Sequence, residues 1–415
     1  MITHSCRIFL SLLLIDCNAM LNLKQFCVKL LLLMESLSFS CNLAACGSFR
    51  FNFYDVFFLF KVKMIIYTVL LILYLSKFDK IEGGICGRKS DEFNIDNFQY
   101  VGDPVTVVCI TEKNQTEFYL TEVNGSVPPD FIKRLHNGRD MSLFFHGIEN
   151  KITQKKGFLF FSAKAWFDAS QKNICIFSYA YTTDPTTALK ILPHVSKMVK
   201  TKRLEYVARM ARDMVLAVYR RCVKYTRAPC LQSMSQVDVS GFSFGAHIAG
   251  RTCQYLEEKT GEKVRMLLAL DPAKFPPFGA KAKNTIKSGH ANYVQVIHTS
   301  NVVGIWDQLG DTDIYVKFKT ESSFFESIAD KHQLSYYMHV TTASKRLFLI
   351  AEQNENRNGT VIKSENAYTE PKPKSNECLV GVYSTLNPRH RGKKFTISLT
   401  NYLSAGKSGG KWKVL

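Results

Sequence analysis

One stretch constrains this chain more than any other: Val237-Asp238-Val239-Ser240-Gly241-Phe242-Ser243-Phe244-Gly245-Ala246-His247. A short β-branched run leads into Gly-x-Ser-x-Gly, and a small-residue helical pattern follows. That order describes a strand that turns sharply into a helix and presents a serine at the bend, a nucleophile elbow. The turn brings together the positions two before and two after the serine, and Gly241 and Gly245 remove the side chains that would collide there. A five-residue match also arises by chance, so its meaning depends on what surrounds it.

The surroundings fit. Val105 to Ile110, Glu117 to Val123, Leu143 to Phe145, Ile174 to Tyr179, Val264 to Leu270 and Tyr293 to Ile297 read as strands. Leu204 to Val223 carries apolar residues at helical spacing with Arg and Lys on the other face, and a second helix is expected from Phe244 to about Glu257. Short apolar strands alternating with helices make βαβ units, hence an α/β fold with a mainly parallel central sheet covered on both faces. Active sites in such sheets form at the carboxyl ends of the strands. Ser243, Asp271 and His146-Gly147 all fall at predicted strand ends. Beyond Ala343, Arg346 to Ala351 and Lys394 to Leu399 read as strands that extend the same domain.

The first eighty residues differ. Residues 1–63 are rich in Leu, Phe and Cys without a helical or strand period, and carry five of the twelve cysteines. Lys61-Val62-Lys63-Met64 and the apolar run Ile65 to Leu75, with the polar exit Glu82-Gly83-Gly84, form a secretory signal peptide. The run is shorter than the roughly twenty apolar residues of a membrane span. The expected organisation is therefore an over-extended gene model or unstructured leader over 1–63 and a signal peptide over 64–84. One α/β domain over 85–405 and a disordered tail over 406–415 complete it. A membrane-anchored N-terminus is the competing reading.

Secretion agrees with three acceptor sequons, at Asn114, Asn124 and Asn358. Of the seven cysteines after the signal, Cys222 and Cys230 flank a short basic loop and are the expected local disulfide. The odd count leaves at least one thiol unpaired, and Cys175, inside an apolar strand, is expected to be a buried core residue. The formal charge of +19 favours anionic partners. Without zinc-finger spacing, an RNA-stacking signature or a Lys/Arg block, no nucleic-acid partner is expected.

A serine hydroxyl needs a base within hydrogen-bond reach, and the base needs a carboxylate to hold its tautomer. In an elbow-type hydrolase these follow in the order Ser, acid, His. Asp271 ends the next strand and is locked by Pro272. His290, His298, His332, His339 and His390 remain as bases. His298 ends a strand, whereas His332 follows a polar loop and opens a helical pattern, which suits a base delivered from a loop. The turn at His146-Gly147-Ile148 is the expected second oxyanion donor, so that the backbone N–H groups of Ile148 and Phe244 face the tetrahedral intermediate. His247, one turn into the helix, is expected to serve packing.

Gly241-Phe242-Ser243-Phe244-Gly245-Ala246-His247-Ile248-Ala249-Gly250, Lys259-Thr260-Gly261, Leu268-Ala269-Leu270-Asp271-Pro272-Ala273 and Val294-Gln295-Val296-Ile297-His298-Thr299 together resemble the pancreatic-lipase family of secreted α/β-hydrolases. The resemblance spans roughly residues 100–400. It implies Ser243 as nucleophile, Asp271 as acid and His332 as base, supports Ile148 and Phe244 as the oxyanion pair, and argues against His298. There are departures. Phe242 replaces a usual His, Phe244 a usual Leu and Ile148 a usual aromatic residue, while Ser178-Tyr179 replaces Asp-Trp. The segment from Val316 to Lys331, where the family places a disulfide-tied lid, is short and lacks cysteine; Phe318, Phe324, Phe325 and Ile328 would form an apolar flap there.

A short lid resembles the phospholipase A1-type members found in insects. The expectation is a secreted serine carboxylic ester hydrolase acting on lipids, phospholipid or triacylglycerol, at a membrane or lipid-droplet interface, with no cofactor and no metal. The alternative is a catalytically weak lipid-binding protein on the same fold.

Overall fold

The computed structural model describes residues 94–148, 152, 154–180, 194–195, 197–224, 231–274, 285–318, 324–353, 358–363, 369–399, 403–405 and 412–414. All lie in the second of two compact units of the chain, Leu75–Leu415. The expected leader and signal peptide, and the pairing of Cys222 with Cys230, fall outside the described residues.

Seven strands form a continuous parallel block. In spatial order they are β4 (Asn173–Ser178), β3 (Met141–Phe145), β5 (Val237–Phe242), β6 (Met266–Leu270), β7 (Tyr293–His298), β8 (Thr312–Lys317) and β12 (Lys393–Ser398). Antiparallel strands finish both edges. β1 (Val105–Ile110) and β2 (Tyr119–Val123) lie beside β4, and β9 (Leu347–Glu352) beside β12, with β10 (Thr360–Lys363) and β11 (Glu377–Leu379) on β9. The polar region after Ala343 is thus part of the same sheet, as its strands predict. Within the expected tail, Trp412–Val414 (β14) pairs antiparallel with Leu403–Ala405 (β13), so these backbone segments form a two-stranded ladder.

Alternation along each strand feeds two separate cores. Leu143, Phe145, Cys175, Phe177, Val239 and Leu267 face one, which is closed by α3 (Arg203–Lys224) and α4 (Phe244–Thr260). Phe144, Ile174, Ile176, Phe242, Met266 and Leu268 face the other, closed by α2 (Phe158–Ser170) and α5 (Phe324–Ala343). A sheet buried on both sides needs apolar residues at every position, which is why its strands read as unbroken hydrophobic runs. The short α1 (Pro129–Arg134), opened by Pro128-Pro129, occupies a stretch that reads in sequence only as a break.

The chain leaves β3 for β4 on one side and comes back to β5 on the other. Such a switch point opens a crevice outside the carboxyl ends of the two strands, and here those ends carry the His146-Gly147 turn and Ser243. This strand order, with the elbow after β5, is the α/β-hydrolase fold. Among the described residues no helix is long and apolar enough to cross a membrane.

Cys175 does not stay unpaired. It bonds Cys109 across the antiparallel β1–β4 pair, where the two are register partners with Cα atoms 4.2 Å apart. Sequence spacing gave no sign of the pairing, because 66 residues separate the two cysteines; among the described residues Cys253 and Cys378 are buried free thiols. Replacing Cys109 and Cys175 together by Ala is expected to cost about 2–4 kcal/mol in urea unfolding, since the link shortens a long loop of the unfolded chain. Non-reducing peptide mapping should recover the joined 109–175 peptide.

Candidate active site

The elbow is built on a close backbone approach. A Cβ at Gly241 would lie 2.2 Å from Gly245 O, and one at Gly245 would lie 2.3 Å from Phe145 O and 2.4 Å from His146 O. Only glycine fits either place. Between them Ser243 takes φ 58° and ψ −121° at the N-cap of α4. A non-glycine residue in that region is strained and persists only where neighbours fix it. Ser243 N–H donates to Leu270 O at 2.9 Å, and Ser243 O accepts from Ala273 N–H at 3.2 Å. The end of β6 therefore holds the serine from both sides.

The same strand end delivers Asp271, fully buried and with φ 41°. Its Oδ1 accepts from Thr299 N–H at 2.8 Å and Ser300 N–H at 3.0 Å, and its Oδ2 accepts from His332 Nδ1 at 2.5 Å. A carboxylate can only accept, so Nδ1 carries the proton and Nε2 presents its lone pair. Nε2 stands 2.8 Å from Ser243 Oγ. Residues separated by 89 and 61 positions thus form one hydrogen-bonded line, with His332 half-buried on α5. Phe242 lies against the imidazole, ring centroids 4.8 Å apart.

Phe244 opens α4 directly after Ser243 and is buried. Ile148 is buried at the end of the turn after β3. A Cβ on the intervening Gly147 would sit 3.0 Å from the Phe242 ring and 3.7 Å from Ser243 Cβ, so this turn lies against the elbow. All five expected site residues are brought to one place.

The other histidines are spent elsewhere. His298 is fully buried, with Nδ1 facing Ile305 O at 2.7 Å and Nε2 facing Asp313 Oδ1 at 2.8 Å, so both nitrogens are engaged away from the serine. His247 bonds Thr285 Oγ1 and Ala273 O, His290 faces Thr285 O, and His390 faces Ser375 O. His339 is stacked on Phe144 beneath Trp166. The lid segment is shorter than the sequence suggests. Val316 and Lys317 belong to β8, whose β-branched run continues the sheet, and α5 has begun by Phe324. Residues 319–323 and the side chains of Phe324 and Phe325 lie outside the described residues, while Phe318 is partly buried against the second core.

The Thr299 and Ser300 amides and Gly304 carry no sequence signal of their own, whereas Phe242 shows in sequence only as a departure from the usual His. A Cβ at Gly304 would lie 2.4 to 2.6 Å from the Asp271 carboxyl atoms. Gly304→Ala is expected to destabilise the fold by about 1–3 kcal/mol in urea unfolding, as overpacking does. Burial also lowers the pKa of His146 and His247 to about 4 and of His339 to about 3, from an ordinary 6.5. Unfolded, these rings take up protons below about pH 6.5, which the folded chain does not. Their contribution to stability is complete above that pH and is lost as pH falls towards 4, so the urea midpoint at pH 5 should lie below that at pH 7.

In sequence, the Lipase family model matches residues 210–321, which takes in the elbow and Asp271 and stops before His332. The phospholipase A1 of Vespula vulgaris is 25% identical over 217 residues, 52% of this chain and 60% of that protein. The Polybia paulista phospholipase A1 is 34% identical over 87 residues, 21% of this chain and 27% of that protein. Phospholipase A1 1 of Dolichovespula maculata is 24% identical over 235 residues, 55% and 70% of the two chains. The match to the Vespula vulgaris protein thus spans less than two thirds of its length. Among solved structures, a dienelactone hydrolase-like promiscuous phosphotriesterase from metagenomic libraries overlaps with a TM-score of 0.25 at 14% identity, over 48% of this chain and 70% of that one. The strand order, not that overlap, identifies the fold. In sequence the chain is similar to the Lipase family model over residues 210–321 and, over part of its length, to the phospholipases A1 of Vespula, Polybia and Dolichovespula.

Proposed function

We propose that this protein is a secreted, serine-dependent carboxylic ester hydrolase acting on lipids, of the phospholipase A1 or triacylglycerol lipase type. The observation that carries the reading is the hydrogen-bonded line from Ser243 Oγ through His332 to buried Asp271. His332 Nε2 takes the hydroxyl proton as Ser243 Oγ attacks the ester carbonyl, and Asp271 stabilises the imidazolium. The Ile148 and Phe244 amides receive the oxyanion, which collapses to an acyl-enzyme as His332 protonates the leaving alcohol. Water, deprotonated by His332, then releases the fatty acid. These steps use only side chains and amides of the chain itself.

The reading of the surroundings follows the same chemistry. The substrate is a lipid ester met at a membrane or lipid-droplet interface, where the positive charge of the protein favours anionic surfaces, an effect that salt screens. Asn114, Asn124 and Asn358 are all exposed, as glycan acceptors must be. Protein recovered from the medium of a secretory host should lose mass on endoglycosidase treatment, and its N-terminus should begin after residue 84.

A fluorophosphonate probe is expected to label the purified protein at Ser243 and to leave Ser243→Ala unlabelled. Failure of Ser243 to react would sink the proposal in favour of a lipid-binding protein without catalysis. Ser243→Ala is expected to lower kcat about 10⁴-fold or more, as loss of a triad nucleophile does. Products from phosphatidylcholine and triolein, assayed side by side, decide the substrate class.

A further inference from the structure

Ser178 and Tyr179 stand where the pancreatic-lipase pattern has Asp-Trp, and Tyr179 reaches the turn that ends in Ile148. Tyr179 Oη donates to His146 O at 2.6 Å, and its ring lies flat on the imidazole, with centroids 5.0 Å and planes 7° apart. Ser178 Oγ accepts from Ile152 N–H at 2.8 Å. Tyr179 is itself fixed from behind. Arg203, fully buried at the first residue of α3, donates Nε to Tyr179 O at 2.6 Å and its terminal nitrogens to Tyr100 Oη, Asp103 O and Pro104 O.

The stacked ring of His146 has one further bond, from Nδ1 to Gly147 O. A carbonyl only accepts, so Nδ1 is the donor. In a trans peptide the C=O and the following N–H point in opposite directions. Whatever pins Gly147 O therefore also aims Ile148 N–H. The imidazole and Tyr179 lie with Phe244 on the α4 side of the sheet, and Phe242 and His332 lie across the turn from them.

We propose that Tyr179 and His146 form a clamp that turns the Ile148 peptide so that its N–H faces the oxyanion position beside Ser243. The clamp rests on the reading of Ser243 as the nucleophile. Its two members are positioning residues, because neither touches the reacting atoms. His146 Nε2 is buried and has no partner among the described residues, which fits a neutral ring whose single N–H is committed to Gly147. Burial, which lowers its pKa to about 4, keeps it neutral at ordinary pH.

Steady-state hydrolysis of p-nitrophenyl butyrate, a soluble ester that needs no interface, tests this, with kcat counted per fluorophosphonate-titrated site so that misfolded protein is excluded. Tyr179→Phe keeps the stacked ring and loses only the hydroxyl. It is expected to lower kcat about tenfold, less than the roughly 10²–10³-fold of losing an oxyanion donor outright, with KM within about twofold. His146→Asn places an amide donor near the position of Nδ1 and is expected to retain about fivefold more kcat than His146→Leu. Wild-type kcat in Tyr179→Phe, a loss carried by KM, or equal kcat in the two His146 variants would overturn the clamp while leaving the nucleophile reading intact. A wild-type protein that neither hydrolyses the ester nor takes the probe would overturn both.

Discussion

No side chain fits where β5 becomes α4, and the rest of the site depends on that contact. With glycine at 241 and 245 the first turn of the helix comes down onto its own strand and onto the carbonyls of Phe145 and His146. The serine between them has nowhere to go but outward, at a backbone conformation it would not choose alone. Because the helix touches the end of β3 through Gly245, the serine and the turn that holds Ile148 are fixed relative to one another by backbone packing rather than by side chains. Their mutual geometry is therefore as rigid as the sheet.

Two His–Asp pairs each place one member at the carboxyl end of a strand, Asp271 after β6 and His298 at the end of the adjacent β7, and the contrast between them explains which one suits chemistry. Asp313 Oδ1 and Oδ2 accept from the Leu309 and Gly310 amides as well as from His298, and that ring spans to Ile305 O. The pair ties down the loop that carries the Thr299 and Ser300 amides and Gly304. Those groups in turn wall in Asp271. One carboxylate–imidazole pair is thus structural and braces the loop that cradles the other, whose ring keeps an edge towards the crevice and a serine as its neighbour.

Much of this was legible in the chain, for a physical reason. Elbow glycines, strand-end Asp271 and the His146-Gly147 turn are local consequences of backbone sterics, and local consequences leave local patterns. The doubly covered sheet writes itself as apolar runs, so its central strands read correctly. What resisted was whatever depends on tertiary neighbours. The last two residues of β8, Val316 and Lys317, read as part of the lid because the register that continues the sheet is set by neighbouring strands, and α1 reads as a break because Pro128-Pro129 both ends one pattern and starts a helix. Sequence spacing placed His332 only among several candidates, since its meaning lies in contacts 61 and 89 residues away. The partners of Tyr179 and Cys175 were invisible for the same reason: nothing near them in the chain records what lies across the sheet.

The Cys109–Cys175 bond has a consequence for how the molecule comes to exist. Both residues are sealed in the core between β1 and the sheet, at 1% and 0% exposure. Once β1 has docked, no external oxidant reaches either sulfur, so the bond forms while the edge is still open, and thereafter the edge cannot leave. The link lies three residues before Ser178, which ends β4 and is followed by Tyr179. The bond thus requires oxidising conditions before the edge closes, and a chain folded under reducing conditions would close over two thiols in place of a staple.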